Sequence, residues 1–246
     1  MKPRLIIISI ILLSIISLGP DSNWATEASS GGISGACSGG GVVVSASKEA
    51  TKAGVRILNL GGTSMDAAVA VGFALAVTYP RAGNLGGGGF MLIREADGEE
   101  SFIDFREKAP LASSRDMYLD QNGDVIDGLS INGYKASGVP GTVAGLGLAH
   151  RRFCSMSWDS LLAPAISLAE HGFTMNEEIS ESIIRLLAEY GEDFPALKKF
   201  LPGSGGQPGE GDRLFQPELA ATLRRISENG YSEFYAGETA RLIADE

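Results

Sequence analysis

The sequence has little cysteine and little histidine. It contains two of each among 246 residues, namely Cys37, Cys154, His150 and His171. A disulfide framework needs more cysteines, and a structural zinc site needs its cysteine and histidine ligands in a tighter cluster. One bridge between Cys37 and Cys154 stays open, although nothing in the sequence supports it, and each thiol is typical of a small apolar core residue. We therefore predict no metal and no cofactor.

Positive charge is also scarce. The chain has 20 lysine and arginine residues against 30 aspartate and glutamate residues, which gives a net charge of −10. A nucleic-acid backbone would be repelled by that field, so we predict no DNA or RNA partner. Hydrophobic residues make up 44% of the chain, although aromatic residues make up only 7%. This content is typical of a globular protein with a substantial core, either one large domain or part of a larger protein.

The N-terminus has the pattern of an export signal. Lys2 and Arg4 precede an apolar run from Leu5 to Leu18. That run is long enough for a secretory signal but short for a membrane-spanning helix, which needs about 20 apolar residues. We predict that residues 1–28 are a signal peptide or N-terminal anchor, that residues 29–41 are a flexible Gly/Ser-rich lead-in, and that residues 42–246 form the folded domain. The expected location is periplasmic or extracellular.

Residues 42–246 read as a layered α/β arrangement. The β-branched run Val42–Val44 predicts a strand, and Ser47 and Thr63 are candidate N-caps of two helices. The second helix is apolar on every side from Ala67 to Val77, so it should be covered all round. Further patterns predict a hairpin of Phe90–Arg94 with Ser101–Phe105. They then predict helices at Thr142–Phe153, from Trp158 to an end at Gly172, at Glu177–Tyr190, from Pro217 and from Tyr231.

Arg106 comes directly after the predicted hairpin. A guanidinium held at a strand end has a fixed direction, and its planar fork of donors matches a carboxylate bidentately. This favours a site for a small anionic ligand. The alternative is a surface pair between Arg106 and a neighbour such as Asp104 or Glu107, and the residues alone favour that pair.

The glycines of the stretch Gly83–Gly89, four of them consecutive at Gly86–Gly89, suggest a nucleotide-binding loop but do not fit one. They precede a strand, whereas phosphate loops follow a strand and open a helix. Close packing against the Ala67–Val77 helix is the better interpretation.

The acidic loop within Met117–Asp127 lacks the ligand spacing of a calcium loop and is predicted to be solvated.

No nucleophile and base can be paired from the residues. His150 and His171 fall at the ends of predicted helices, where a structural role is expected. Cys154 follows Arg151 and Arg152, which could lower the pKa of its thiol, but no partner base is marked.

Several motifs together resemble the gamma-glutamyltransferase family, also called glutathione hydrolases. They are Gly61-Gly62 with Asp66–Ala70, Pro80 with Ala82–Gly88, Asp104–Glu107 with Ala109-Pro110, and Gly138–Gly141. The resemblance covers roughly Val42 to Glu246. It implies an N-terminal-nucleophile hydrolase with an αββα sandwich, of which this chain looks like only the front part of the large subunit.

The resemblance also implies an activity, and it assigns different roles in that activity to the small and the large subunit. A threonine at the new N-terminus of a small subunit attacks the γ-glutamyl amide of glutathione, and water or an amino acid then takes the acyl group. The large subunit's arginine, which binds the glutamyl α-carboxylate, matches Arg106. No catalytic residue is therefore expected in this chain, and alone it should be inactive. The alternatives are a non-catalytic fragment and a related acylase with another acyl group.

Overall fold

The computed structural model describes residues 28–30, 33–38, 41–201 and 206–245. The predicted signal or anchor over residues 1–28 therefore lies outside the described residues, apart from Ala28. No helix in the described ranges is long and apolar enough to cross a membrane. The elements in chain order are β1 Ala28–Ser30, β2 Ile33–Ser38, β3 Gly41–Ser45, α1 Lys48–Asn59, α2 Ser64–Thr78, β4 Phe90–Arg94, β5 Glu100–Asp104, α3 Thr142–Phe153, α4 Trp158–His171, β6 Phe173–Thr174, α5 Glu177–Tyr190, β7 Arg213–Leu214, α6 Pro217–Asn229, α7 Glu233–Ala236 and α8 Glu238–Asp245.

The first three strands form an antiparallel sheet in the order β1-β2-β3. Gly35 pairs with Val44, and Ser38 pairs with Gly41. The sequence predicted a flexible lead-in over residues 29–41, whereas the described parts of that range belong to strands. Pairing with the β-branched strand β3 provides hydrogen-bond partners for this backbone, and a Gly/Ser-rich composition does not reveal that pairing.

The two predicted N-caps are confirmed. The Ser47 hydroxyl accepts a hydrogen bond from the Ala50 N–H at 3.4 Å, and α1 begins at the next residue. Thr63 and Asp66 form a capping box in which each side chain bonds the other's backbone N–H. The helix that follows is the core element that its apolar sequence predicted, with buried side chains at Ala67, Val69, Ala70, Phe73, Ala74, Ala76 and Val77.

Strands β4 and β5 form the predicted hairpin. Gly98 lies in the turn with a φ of +92°, a backbone region that favours glycine. The second strand spans Glu100–Asp104, one residue earlier than the predicted Ser101–Phe105. Ile93 and Ile103 are buried on the inner face of the hairpin. The outer face is apolar as well, because it carries Phe90, Leu92 and Phe102. These three side chains are exposed to solvent.

The helices predicted after the hairpin are confirmed for α3 to α6, and the last predicted helix is divided. α7 ends at Ala236 and α8 begins at Glu238. Gly237 separates the two helices and has an extended backbone conformation. A side chain at this position would be too close to α7, because a Cβ would lie 2.8 Å from the Glu233 carbonyl oxygen. The buried Glu233 carboxylate then accepts from the Thr239 N–H at 3.0 Å and so caps α8. The short β6–β7 pair was not predicted.

Candidate substrate-recognition site

Arg106 continues from the last residues of the hairpin, and its backbone is fixed there. The Phe105 N–H donates to the Gly89 carbonyl at 3.0 Å, and the Gly89 N–H donates to the Phe105 carbonyl at 3.3 Å. The Arg106 N–H donates to Asp104 Oδ1 at 3.0 Å. Strand-like pairing therefore extends past β4 and β5, and the Arg106 side chain leaves from a hydrogen-bonded backbone.

Two glycines pack directly against the backbone that carries Arg106. A Cβ added at Gly88 would lie 2.5 Å from the Phe105 carbonyl oxygen and 2.9 Å from the Glu107 nitrogen. A Cβ added at Gly141 would lie 1.9 Å from the same carbonyl oxygen and 3.1 Å from the Arg106 carbonyl oxygen. Neither position can carry a side chain unless the backbone around Arg106 moves.

The glycine stretch Gly83–Gly89 packs against two different elements. We predicted close packing against the Ala67–Val77 helix, and Gly83 is packed there, since a Cβ at Gly83 would lie 2.5 Å from the Leu75 carbonyl oxygen. Gly88 packs against the Arg106 backbone instead, a contact that the sequence did not predict. The prediction therefore holds at the start of the stretch and not at Gly88, because contacts with the strand end depend on the three-dimensional arrangement.

The beginning of α3 completes the arrangement around Arg106. The Gly141 and Thr142 N–H groups donate to the Gly87 carbonyl at 2.8 and 3.0 Å. Lys108 and Val139 exchange two backbone hydrogen bonds of 3.1 and 2.7 Å, directly after Arg106 and directly before α3. The glycine run, the strand end and the start of α3 are thus joined into one unit by backbone groups.

A cleft of 310 Å³ lies beside this unit. Two cationic side chains, Arg106 and Lys108, contribute to its lining together with the carboxylate of Asp104. The N-terminal end of α3 also contributes to the lining through Gly141 and Ala144. The positive end of the helix dipole and the two cationic residues favour an anion, so the cleft suits a small anionic ligand.

The Arg106 guanidinium remains accessible to a ligand. Its side chain is 65% exposed, and its Nε lies 3.6 Å from Glu107 Oε2. The guanidinium carbon is 5.9 Å from the centroid of the Phe90 ring. The surface pair that we weighed as the alternative is therefore present, with Glu107 as the partner. An exposed pair of this kind contributes about 1 kcal/mol or less, so a ligand carboxylate can replace it.

Replacing Gly141 should disrupt this unit. We expect Gly141→Ala to lower the free energy of unfolding by about 3 kcal/mol, because the new methyl group would overlap the Phe105 carbonyl oxygen. Gly86→Ala is the matched control, since a Cβ there would meet only Asn84 Oδ1 at 3.7 Å. Urea unfolding of both variants measures the difference. Equal stability of the two variants would show that the close approach at Gly141 does not constrain the fold.

Cys154 does not have the reactive character that its neighbours suggested. Burial and, to a lesser extent, the negative charge of Asp66 together raise the pKa of the Cys154 thiol to about 12. Arg151, which was expected to lower the pKa, lies with its guanidinium carbon 4.2 Å from the centroid of the Tyr231 ring. Cys154 is a free thiol, and the Cys37 side chain of the bridge that was left open lies outside the described residues.

Both histidines make backbone contacts near the ends of their helices. Nε2 of His150 lies 2.9 Å from the Met156 carbonyl oxygen, and Nδ1 of His171 lies 3.1 Å from the Ser167 carbonyl oxygen. In the acidic loop, the Asp120 carboxylate accepts from the Asn122 N–H at 2.8 Å. The described part of the chain contains no group of three or more histidine, cysteine, aspartate or glutamate side chains that could hold a metal ion.

Asp66 is a buried carboxylate whose importance the sequence showed only in part. Its carboxylate accepts hydrogen bonds from the N–H and the hydroxyl of Thr63, at 2.7 and 2.8 Å. It also accepts from the N–H and the hydroxyl of Ser155, at 3.0 and 2.8 Å, and from the Met156 N–H, at 3.0 Å. Burial alone would raise the pKa of Asp66, but these hydrogen bonds outweigh it and hold the pKa well below its usual range. Asp66 thereby joins the start of α2 to the α3–α4 connection.

Comparison with known proteins places this site within a family. Residues 50–246 match the family model described as gamma-glutamyltranspeptidase. The chain belongs to the gamma-glutamyltranspeptidase family. The matched residues of this gamma-glutamyltranspeptidase chain include the hairpin, Arg106 and the start of α3, so the family predicted from the motifs is confirmed.

Curated relatives agree with the family assignment. The chain is 47% identical over 205 residues to the glutathione hydrolase proenzyme of Pseudomonas sp. (strain A14), which covers 83% of this chain and 36% of that relative. It is 45% identical over 206 residues to the glutathione hydrolase proenzyme of Escherichia coli (strain K12), covering 84% of this chain and 36% of the relative. The chain therefore spans little more than a third of the length of these two relatives.

Solved structures confirm the fold class. The gamma-glutamyltranspeptidase of Helicobacter pylori matches with a TM-score of 0.78 and 42% identity, over 82% of this chain and 58% of that one. The enzyme of Pseudomonas nitroreducens complexed with L-DON matches with a TM-score of 0.76 and 43% identity, over 84% and 60%. The fold is thus the mixed α/β fold of the N-terminal-nucleophile hydrolases, and this chain accounts for part of it.

Proposed function

We propose that this chain takes part in cleaving the γ-glutamyl amide of glutathione and in passing the acyl group to water or to an amino acid. Its relatives support this activity, since those with 44 to 47% identity are glutathione hydrolase proenzymes. The observation that carries the proposal is the position of Arg106, which follows a hydrogen-bonded strand end and contributes to the lining of a cleft together with Lys108.

In this proposal, Arg106 binds the α-carboxylate of the γ-glutamyl donor. The carboxylate would replace Glu107, whose Oε2 lies 3.6 Å from the guanidinium. A bidentate arginine–carboxylate pair fixes both the position and the direction of the donor. Holding the α-carboxylate at one end places the γ-carbonyl at a set distance, and an enzyme can use that distance to select a γ-linked amide.

The nucleophile is proposed to come from a second polypeptide segment. In the described residues the candidate thiol, Cys154, has its pKa raised to about 12, and both histidines are held by backbone carbonyls. As the family resemblance implies, an N-terminal threonine hydroxyl would attack the γ-carbonyl carbon while its own α-amine takes the proton. The amide C–N bond then breaks, the amine leaves with that proton, and water or an amino acid attacks the resulting ester.

The outer face of the hairpin supports a subunit partner. Phe90, Leu92 and Phe102 are 55%, 76% and 61% exposed, and they form a continuous apolar surface on β4 and β5. A sheet face of this composition is normally covered in a folded assembly. We propose that the subunit carrying the threonine packs on this face, next to the Arg106 cleft.

We also propose that the protein is exported to the periplasm or the cell exterior, because Lys2, Arg4 and the run Leu5–Leu18 have the pattern of a secretion signal.

The acylase alternative has weaker support. Cephalosporin acylase from Bacillus halodurans matches with a TM-score of 0.69 but only 23% identity, which shows a shared fold and nothing about the substrate.

The proposed function can be tested on the full-length gene product. With glutathione, we expect release of glutamate and cysteinylglycine, and with an added dipeptide acceptor we expect a γ-glutamyl dipeptide. N-terminal sequencing of the purified protein should show a second chain that begins with threonine. The matched control is the isomer of glutathione whose glutamate is linked through its α-carboxyl group, which should not be cleaved. Absence of both turnover and a threonine-led chain would favour the non-catalytic alternative.

A further inference from the structure

A tyrosine from the C-terminal part of the chain reaches the Arg106 cleft. The hydroxyl of Tyr235, on α7, donates to the Pro140 carbonyl at 3.0 Å and accepts from the Ala144 N–H at 3.0 Å. These two groups lie on either side of Gly141, the residue whose Cα lies against the Phe105 carbonyl oxygen. Tyr235 also contributes to the lining of the same cleft as Arg106. One hydroxyl thus bridges the two ends of the segment that contacts the Arg106 backbone.

The Tyr235 side chain is itself well held. It is half-buried, and burial raises the pKa of its hydroxyl, so the group keeps the proton that it donates to Pro140. The neighbouring Phe234 is 5% exposed, and the two ring centroids are 5.2 Å apart. The hydroxyl therefore has a fixed position relative to the core, as a group that orients another segment must have.

We propose that Tyr235 is a positioning residue for donor recognition: its hydroxyl holds the Pro140–Ala144 segment against the Phe105–Arg106 backbone and so sets the position of the Arg106 guanidinium. The proposal rests on the proposed function, because it assigns Tyr235 to the recognition of the same α-carboxylate. Tyr235 acts through Arg106 and does not touch the reacting atoms.

Removing the hydroxyl alone tests this role. In the full-length gene product assayed with a chromogenic γ-glutamyl anilide, we expect Tyr235→Phe to raise KM by about 3- to 10-fold, the range that the loss of one or two net hydrogen bonds gives. We expect kcat to change by less than about 2-fold, since the acyl-transfer groups are untouched. In an Arg106→Ala background, Tyr235→Phe should have no further effect on kcat/KM, because the two residues act as one unit.

The matched control is Tyr231→Phe. Tyr231 also packs on α3, where a Cβ at Gly147 would lie 2.7 Å from its Cβ, but its hydroxyl makes no hydrogen bond within the described residues. This variant should retain the wild-type KM. A merely structural role for Tyr235 would lower the amount of active protein, leave KM unchanged, and give effects that add to those of Arg106→Ala. That pattern would overturn the proposal.

Hydrogen exchange on the same variants separates this inference from the proposed function. If Tyr235 holds the unit together, Tyr235→Phe should speed exchange at the Ala144, Phe105 and Lys108 amides, all of which are hydrogen-bonded in this unit. Unchanged exchange at Phe105 and Lys108 overturns the positioning role, whatever the activity. Absence of wild-type turnover together with faster exchange in the variant would reject the proposed function and leave the structural coupling established.

Discussion

Arg106→Ala is expected to lower kcat/KM for a γ-glutamyl donor by about 150- to 5,000-fold in the full-length gene product. Truncation would leave the donor's α-carboxylate desolvated in the cleft without its partner, and the loss of one partner of a buried ion pair costs about 3–5 kcal/mol. Steady-state kinetics with a chromogenic γ-glutamyl anilide measure the change. The loss should fall mainly on KM, because the α-carboxylate is bound in the ground state as well as in the transition state.

Two variants make this result specific. Arg106→Lys keeps the charge but loses the planar fork, so it should recover only part of the lost activity. Arg94→Ala removes another arginine of the same hairpin, whose side chain is 74% exposed and lies 3.7 Å from Glu100. It should behave like the wild type. A similar loss in both alanine variants would point to a general effect on the hairpin rather than to donor binding.

Asp66→Ala is expected to be strongly destabilising, with a loss of about 3–5 kcal/mol in the free energy of unfolding. The substitution leaves the partly buried N–H groups of Thr63, Ser155 and Met156 without their acceptor. Urea unfolding at neutral pH measures the loss. Asp116→Ala is a suitable control, because this carboxylate is 63% exposed and pairs only with Arg115. It should change stability by less than about 0.5 kcal/mol.

The contribution of Asp66 should also depend on pH in a defined direction. The pKa of Asp66 is lower in the folded protein than the ordinary carboxyl value of about 3.9 in the unfolded chain. The folded state therefore favours the charged form, and the stabilisation is fully present above that ordinary value. It is lost as the pH falls below about 4 toward the depressed folded value. The stability difference between wild type and Asp66→Ala should thus be constant near neutrality and shrink in acid; a difference independent of pH would contradict this assignment.

Local signals made much of the fold predictable. Ser47 and Thr63 offered cap hydroxyls, Asp97-Gly98 offered a hairpin turn, and Pro217 marked a helix start, and each of these features depends on a few adjacent residues. The family motifs carried information of a different kind, since they identified Arg106 when the residues around it favoured a surface pair with Glu107.

Contacts between distant segments could not be predicted in the same way. Gly88 and Gly141 are far apart in the sequence, and their shared role against the Arg106 backbone exists only once the hairpin and α3 meet. The bonds of Asp66 to Ser155 depend on the packing of α2 against the α3–α4 connection, which lies far from Asp66 in the sequence. The hydroxyl of Tyr235 gives no periodicity or turn signal at all. Such features follow from tertiary packing, which single-sequence patterns do not encode.

The most direct test of donor recognition changes the substrate and the protein together. A γ-glutamyl anilide is compared with the corresponding 4-aminobutanoyl anilide, which lacks only the α-carboxylate, in the wild type and in Arg106→Ala. If Arg106 binds that carboxylate, the wild type should prefer the γ-glutamyl compound by about 100-fold or more in kcat/KM, and the variant should lose most of this preference. An undiminished preference in Arg106→Ala would show that another group recognises the α-carboxylate, and would contradict the role of Arg106.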